Sequence, residues 1–109
     1  MTHMRLKDIP TELNIRGIHA KTLVHHENAT IKNLILKRGE AIPNHQVPVD
    51  VTFFVLEGSG IISIDNVAYQ VVAHDIVLCK ANTVMSVKAD NNSILSFLNI
   101  KTPGIIVKK

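Results

Sequence analysis

The sequence predicts an all-β protein folded as one small barrel or sandwich. Three observations carry that expectation. Short runs alternate apolar and polar residues, turn-forming residues separate these runs every six to twelve positions, and no segment keeps a helical period over three turns. The 109 residues suit one domain spanning 1–109, and a hydrophobic fraction of 46% with a mean hydropathy of +0.19 excludes a disordered chain.

The elements follow in order. Residues 1–17 are mixed in character and expected to be irregular, with turns at Asp8-Ile9-Pro10-Thr11 and Arg16-Gly17. From Ile18 to His26 the side chains alternate, Ile18, Ala20, Thr22 and Val24 against His19, Lys21, Leu23 and His25. Both faces are mixed, which suits an edge strand. Glu27-Asn28 turns the chain, and Thr30 to Lys37 alternates again, with Ile31, Asn33 and Ile35 opposite Leu34 and Leu36. A turn at Gly39 precedes a short extended piece carrying His45. Val51 to Leu56, β-branched and aromatic, forms the next strand, closed by a turn over Glu57-Gly58-Ser59-Gly60. Alternation assigns Val51, Phe53 and Val55 to the interior. Phe54 and Leu56 then face a second sheet or a partner subunit.

Ile61 to Asp65 is a further strand, and Asp65-Asn66 has the composition of a tight hairpin turn leading into Val67 to Val72. Turns at Ala73-His74-Asp75, Ala81-Asn82-Thr83 and Asp90-Asn91-Asn92 separate strands at Ile76 to Cys79, Val84 to Lys88 and Ile94 to Lys101. Pro103-Gly104 ends the last strand before an apolar tail, Ile105-Ile106-Val107. The total is eight or nine strands.

Bulk properties narrow the function. No run approaches the roughly 18 apolar residues of a membrane span, so no membrane partner is expected. The N-terminus has no apolar signal core, which predicts a cytoplasmic protein. A lone Cys79 in apolar surroundings reads as an inert buried thiol. The net charge of +3 is small, basic residues are scattered and aromatics make up 4%, so nucleic-acid binding is not expected.

The stretch from Gly39 to Gly60 carries a more specific pattern: Gly39, five residues, His45, Gln46, Val47, three residues, Val51, six residues, Gly58. This spacing resembles the first motif of the cupin superfamily, which reads Gly, five residues, His-x-His, three or four residues, Glu, six residues, Gly. The frame fits, but Val47 stands at the second His and Val51 at the Glu. The family's second motif, laid from the Ala73-His74-Asp75 turn, falls on His74, Lys80, Asn82, Met85 and Ala89, none identical to the family's residue. The two motifs cover residues 39–89. The resemblance implies a double-stranded β-helix, or jelly-roll barrel, and a homodimer. In the family, the two His, the Glu and a His from the second motif hold a metal inside the barrel. Here those positions are His45, Val47, Val51 and Met85. One imidazole among apolar groups cannot hold a divalent ion, so no cofactor is expected.

Individual residues carry two readings each. His45 either contributes a hydrogen bond or a base to a ligand pocket, or is satisfied by a backbone partner. Asp50 would join His45 if a local shift brought its carboxylate inward; its plainer role is in a turn. His25 and His26 point to opposite faces and cannot chelate together. His74 is read as a structural turn residue with positive φ, and Met85 as filling the volume of a lost imidazole. Tyr69 would orient a ligand or make an edge contact.

The primary expectation is a metal-free barrel that binds a small apolar or amphipathic molecule in a pocket lined by His45, Val47, Val51, Phe53 and Met85, in a binding or sensing role. The alternative is a small metalloenzyme, of oxygenase or isomerase type, using His45 and Asp50. A third reading is a barrel filled by its own side chains.

Overall fold

The computed structural model describes residues 2–104, so the apolar run expected at 105–107 lies outside the described residues. Nine strands and one 3-10 turn (Leu6–Asp8) make up the regular structure: β1 (Glu12–Leu13), β2 (His19–His26), β3 (Ala29–Leu36), β4 (Ala41–His45), β5 (Asp50–Ile64), β6 (Val67–Val72), β7 (Ile76–Cys79), β8 (Met85–Ala89) and β9 (Leu95–Thr102). All pairings are antiparallel.

Strand β5 joins two walls. Its first half pairs with β9 and β7, extending a sheet that continues through β3, β2 and β1. Its second half pairs with β8 and β6, and β8 pairs in turn with β4. The two walls curl around one apolar core, giving the expected jelly-roll barrel. No helix among the described residues is long and apolar enough to cross a membrane.

The turn expected over Glu57-Gly58-Ser59-Gly60 is absent. The chain runs straight through as one strand of 15 residues, with a bulge between Val55 and Glu57. Gly58, two residues past the bulge, takes the left-handed φ of +86°, and a Cβ there would sit 1.9 Å from the Ile94 carbonyl oxygen. The extra residue flips the inward set from odd to even positions. Val51, Phe53 and Val55 face the core before the bulge, and Gly60 and Ile62 do so after it. A Gly-Ser-Gly run signals positive φ or close approach in the sequence, but not whether the chain reverses.

Other register details follow the same logic. In β2 a bulge at Leu23 breaks the uniform alternation expected from Ile18 to Val24. Leu13 and Glu12 of β1 pair with His19 and Ala20, so the first residues of β2 are covered and the expected irregular stretch contains a short strand. The Asp65-Asn66 hairpin has positive φ at both residues, 51° and 66°. His74 also has positive φ (77°), and its amide donates to the Val55 carbonyl at 2.7 Å. The His74 ring lies nearly parallel to Phe54, with centroids 6.2 Å apart, so part of the outer face of β5 is covered within the chain.

Candidate site at the barrel mouth

The inward faces of five strands and the loops before β2 and β5 enclose a cavity of ≈ 230 Å³. Its floor is hydrocarbon: Leu34 from β3, Ile42 from β4, Phe53 from β5, Val87 from β8 and Phe97 from β9. Phe53 and Phe97 are 1% and 0% exposed, and their rings meet tilted at 54° with centroids 5.6 Å apart. Tilted packing of this kind favours the ring quadrupoles and fixes the floor rigidly.

The rim is polar and cationic. Lys32 continues the inward parity of Leu34 and Leu36 on β3, and Asn99 and Lys101 continue that of Leu95 and Phe97 on β9. Lys32 is the register partner of Asn99, which sets it diagonally from Lys101 on the same face. The Lys101 ammonium donates to Asn99 Oδ1. Partial burial, and then the nearby charge of Lys32, hold the Lys101 amine below the usual lysine range.

Arg16 and Asn14 complete the rim from the loop before β2. The Asn14 Oδ1 accepts from the amides of Arg16 (2.9 Å) and Ile18 (3.0 Å), while Gly17 takes φ +77°. This local ring of bonds is an Asx-type turn, and it holds Arg16 at the mouth. Among the described residues the lining contains no carboxylate. A cavity with an apolar floor and three cationic side chains at its edge suits an anion with a hydrocarbon body.

His45 is half-buried on the same wall. A register shift between Ile42 and His45 turns its ring to the side of Ile42. Its Nδ1 lies 3.0 Å from the Pro43 carbonyl oxygen, an acceptor, so that nitrogen is the donor. The histidine thus has a backbone partner and also lines the cavity.

Of the pocket residues expected from the sequence, the structure brings His45, Val47 and Phe53 to the cavity. Val51 and Met85 do not line it. Both point inward, but each is 1% exposed and packed in the core, Met85 beside His45 across the β4–β8 pair. Asp50 is separate from His45: it is exposed, and its Oδ1 accepts the Ala81 amide at 2.9 Å, closing the turn before β8. The His45–Asp50 pair considered for a metal is therefore not assembled. Among the described residues, no group of three His, Cys, Asp or Glu side chains comes close enough to hold a metal ion. The residues present do not fit the metal that the cupin frame implies.

The remaining singled-out residues lie elsewhere. His25 is exposed, and His26 Nδ1 accepts from the Asn28 amide at the end of β2. Tyr69 is on β6, beside Ile76 and Leu78 of β7. Cys79 is buried, and desolvation followed by the charge of Asp50 raises its thiol pKa. A wider, shallower groove of ≈ 620 Å³ lies on the outer face of the larger sheet, between the Leu6–Asp8 turn and Ile35, Leu56 and Ser96. It mixes Lys7 and Lys21 with Glu57, so it offers no single-signed charge.

Lys32 and Lys101 were readable in principle, as charged residues on the apolar parity of their strands. Arg16 was not, because only the folded loop returns it to the barrel.

Fold and site together define a double-stranded β-helix barrel with a cationic, metal-poor mouth. The chain has the cupin fold. Similar solved structures include KdgF from Halomonas sp., with TM-score 0.86 and 14% identity over 96% of each chain. An RmlC-like cupin from Shewanella frigidimarina gives TM-score 0.86 and 12% identity, covering 95% of this chain and 92% of that one. A predicted oxalate decarboxylase from Thermotoga maritima gives TM-score 0.84 and 19% identity over 94% and 99%. No protein-family model matches the chain, and no curated protein matches it.

Proposed function

We propose that the barrel binds a small amphipathic anion, in a binding or sensing role and without a metal. The observation that carries this reading is the lining itself: five buried hydrocarbon side chains under Arg16, Lys32 and Lys101, with no carboxylate to neutralise them. A carboxylate or phosphate leaving water needs charge-assisted donors, and the rim supplies them while the floor takes the apolar body. At roughly 30 Å³ per water, the cavity holds a ligand of about eight non-hydrogen atoms. Asn14, Asn99 and His45 add neutral donors or acceptors that would fix orientation.

The metalloenzyme reading has less support, because His45 and Asp50 do not share the cavity and Asp50 is engaged with Ala81. The protein is placed in the cytoplasm, acting on a soluble ligand, with no nucleic acid or membrane involved. It is a homodimer through the outer face of the larger sheet, where Phe54, Leu56, Leu98 and Ile100 are apolar and half-buried.

The test is thermal shift with isocaproate and with its neutral isostere isocaproamide. The reading predicts that isocaproate raises the midpoint in wild type, that the amide does not, and that Lys32→Met abolishes the effect. Equal shifts by acid and amide, or none by either, would remove it.

A further inference from the structure

We propose that Lys101 is a reactive amine that forms an imine with the carbonyl group of an anionic ligand held in this cavity, a 2-oxo acid being the ligand class that meets both demands. The proposal rests on the anion-binding reading of the same site and goes beyond it by assigning a covalent step.

The placement of Lys101 carries the argument. It is the last inward position of β9 before the strand leaves the barrel, following Phe97 and Asn99 on that face. Its stem therefore leaves an apolar floor and its amine reaches the rim, where Asn99 Oδ1 accepts from it. Lys32 approaches from the adjacent strand, and Arg16 from the loop, so the amine shares its cavity with two other cations and no carboxylate. His45 is the remaining titratable group on the lining. A lysine partly withdrawn from water beside like charges loses its proton more easily, and the neutral amine is the nucleophile. An ordinary surface lysine stays protonated near neutral pH and does not react.

The two cations beside Lys101 have a second use. Arg16 and Lys32 are fixed charges that would hold the carboxylate of a 2-oxo acid, placing the adjacent carbonyl carbon against the amine. The step then balances without any co-reactant. The Lys101 nitrogen lone pair attacks the carbonyl carbon and one N–H proton passes to the oxygen, giving a carbinolamine; its C–O bond then breaks, the hydroxyl leaves as water with the second N–H proton, and the C=N bond forms. No electron is gained or lost. The reverse hydrolysis releases the ligand unchanged.

The experiment is reductive trapping. Purified protein is incubated with α-ketoisocaproate and cyanoborohydride near neutral pH, and the adduct is mapped by peptide mass spectrometry. Labelling is expected at Lys101, at a rate about tenfold or more above the mean of the other lysines, because its amine gives up its proton more readily. Lys32→Met should slow it, because it removes a charge that would hold the carboxylate and the lesser of the two causes, after burial, that lower Lys101. Lys101→Arg keeps a cation but cannot form the imine, so it should lose the adduct. Labelling spread evenly over surface lysines, or unchanged trapping in Lys101→Arg, would overturn the imine. If isocaproate, which has no ketone, binds wild type while no adduct forms with the 2-oxo acid, the imine falls and the anion site stands. If isocaproate does not bind folded wild type and no adduct forms, both fall together.

Discussion

Replacing Phe53 by alanine should be among the most damaging single changes in this chain. Phe53 is 1% exposed, belongs to the main core cluster and packs on Phe97 with ring centroids 5.6 Å apart. A buried phenyl ring hides about 150 Å² or more, worth about 4 kcal/mol at about 25 cal/mol per Å². The ring–ring contact adds about 1 kcal/mol, and partial collapse of the site returns some of the total. The net loss is about 3–5 kcal/mol, a large part of the stability of an ordinary domain. At about 4–8 °C per kcal/mol the melting midpoint would fall by roughly 12–40 °C. Calorimetry or circular dichroism on Phe53→Ala reads this directly. Phe54→Ala is the internal control, because Phe54 is half-buried on the opposite face and touches His74. It should cost about 1 kcal/mol, as exposed-face truncations usually do. If Phe54→Ala melts lower than Phe53→Ala, or Phe53→Ala melts like wild type, the inward register of β5 is wrong.

Further outcomes follow from single observations. Gly58→Val should lose on the order of 2–4 kcal/mol in denaturant titration, since the new side chain meets positive φ and a Cβ would lie 1.9 Å from the Ile94 carbonyl oxygen; wild-type stability would mean the bulge relaxes freely. Light scattering at micromolar concentration should give about twice the 12.0 kDa monomer mass, and a clean monomer would remove the dimer. The depressed Lys101 pKa makes the unfolded state bind more protons than the folded state between the folded and unfolded pKa values, so this residue adds stability as pH rises through that alkaline window. The stability of wild type minus that of Lys101→Met should therefore climb with pH, the opposing effect of the raised Cys79 thiol being common to both; parallel curves would deny the shift. Finally, Val47→His, Val51→Glu and Met85→His together should create nickel or zinc binding that calorimetric titration does not find in wild type; no binding to a folded triple variant would break the cupin alignment.

The motif spacing from Gly39 to Gly58 and the alternation of Val51, Phe53 and Val55 made the barrel and the β5 interior legible before any coordinates. The same spacing could not distinguish a wall residue from a core residue. Val51 and Met85 occupy ligand positions, yet with apolar side chains they sink into the core instead of lining the cavity. The bulge at Leu56 was hidden because a Gly-Ser-Gly run serves a reversal or a continuous strand equally well, and the pairing with β9 decides between them. The cationic rim was missed because its residues are distant in sequence. Lys32 and Lys101 come together only when β3 pairs with β9, and Arg16 joins them only through the Asn14 turn.

The central claim is that the cavity between Phe53, Phe97, Lys32 and Lys101 is an anion site, and a two-dimensional amide NMR titration with isocaproate tests it most directly. The account predicts saturable shifts concentrated on Lys32, Leu34, Val47, Phe97, Asn99 and Lys101, absent when isocaproamide is added instead. Shifts confined to the outer-face residues Phe54, Leu98 and Ile100, or no saturable shift at all, would contradict it.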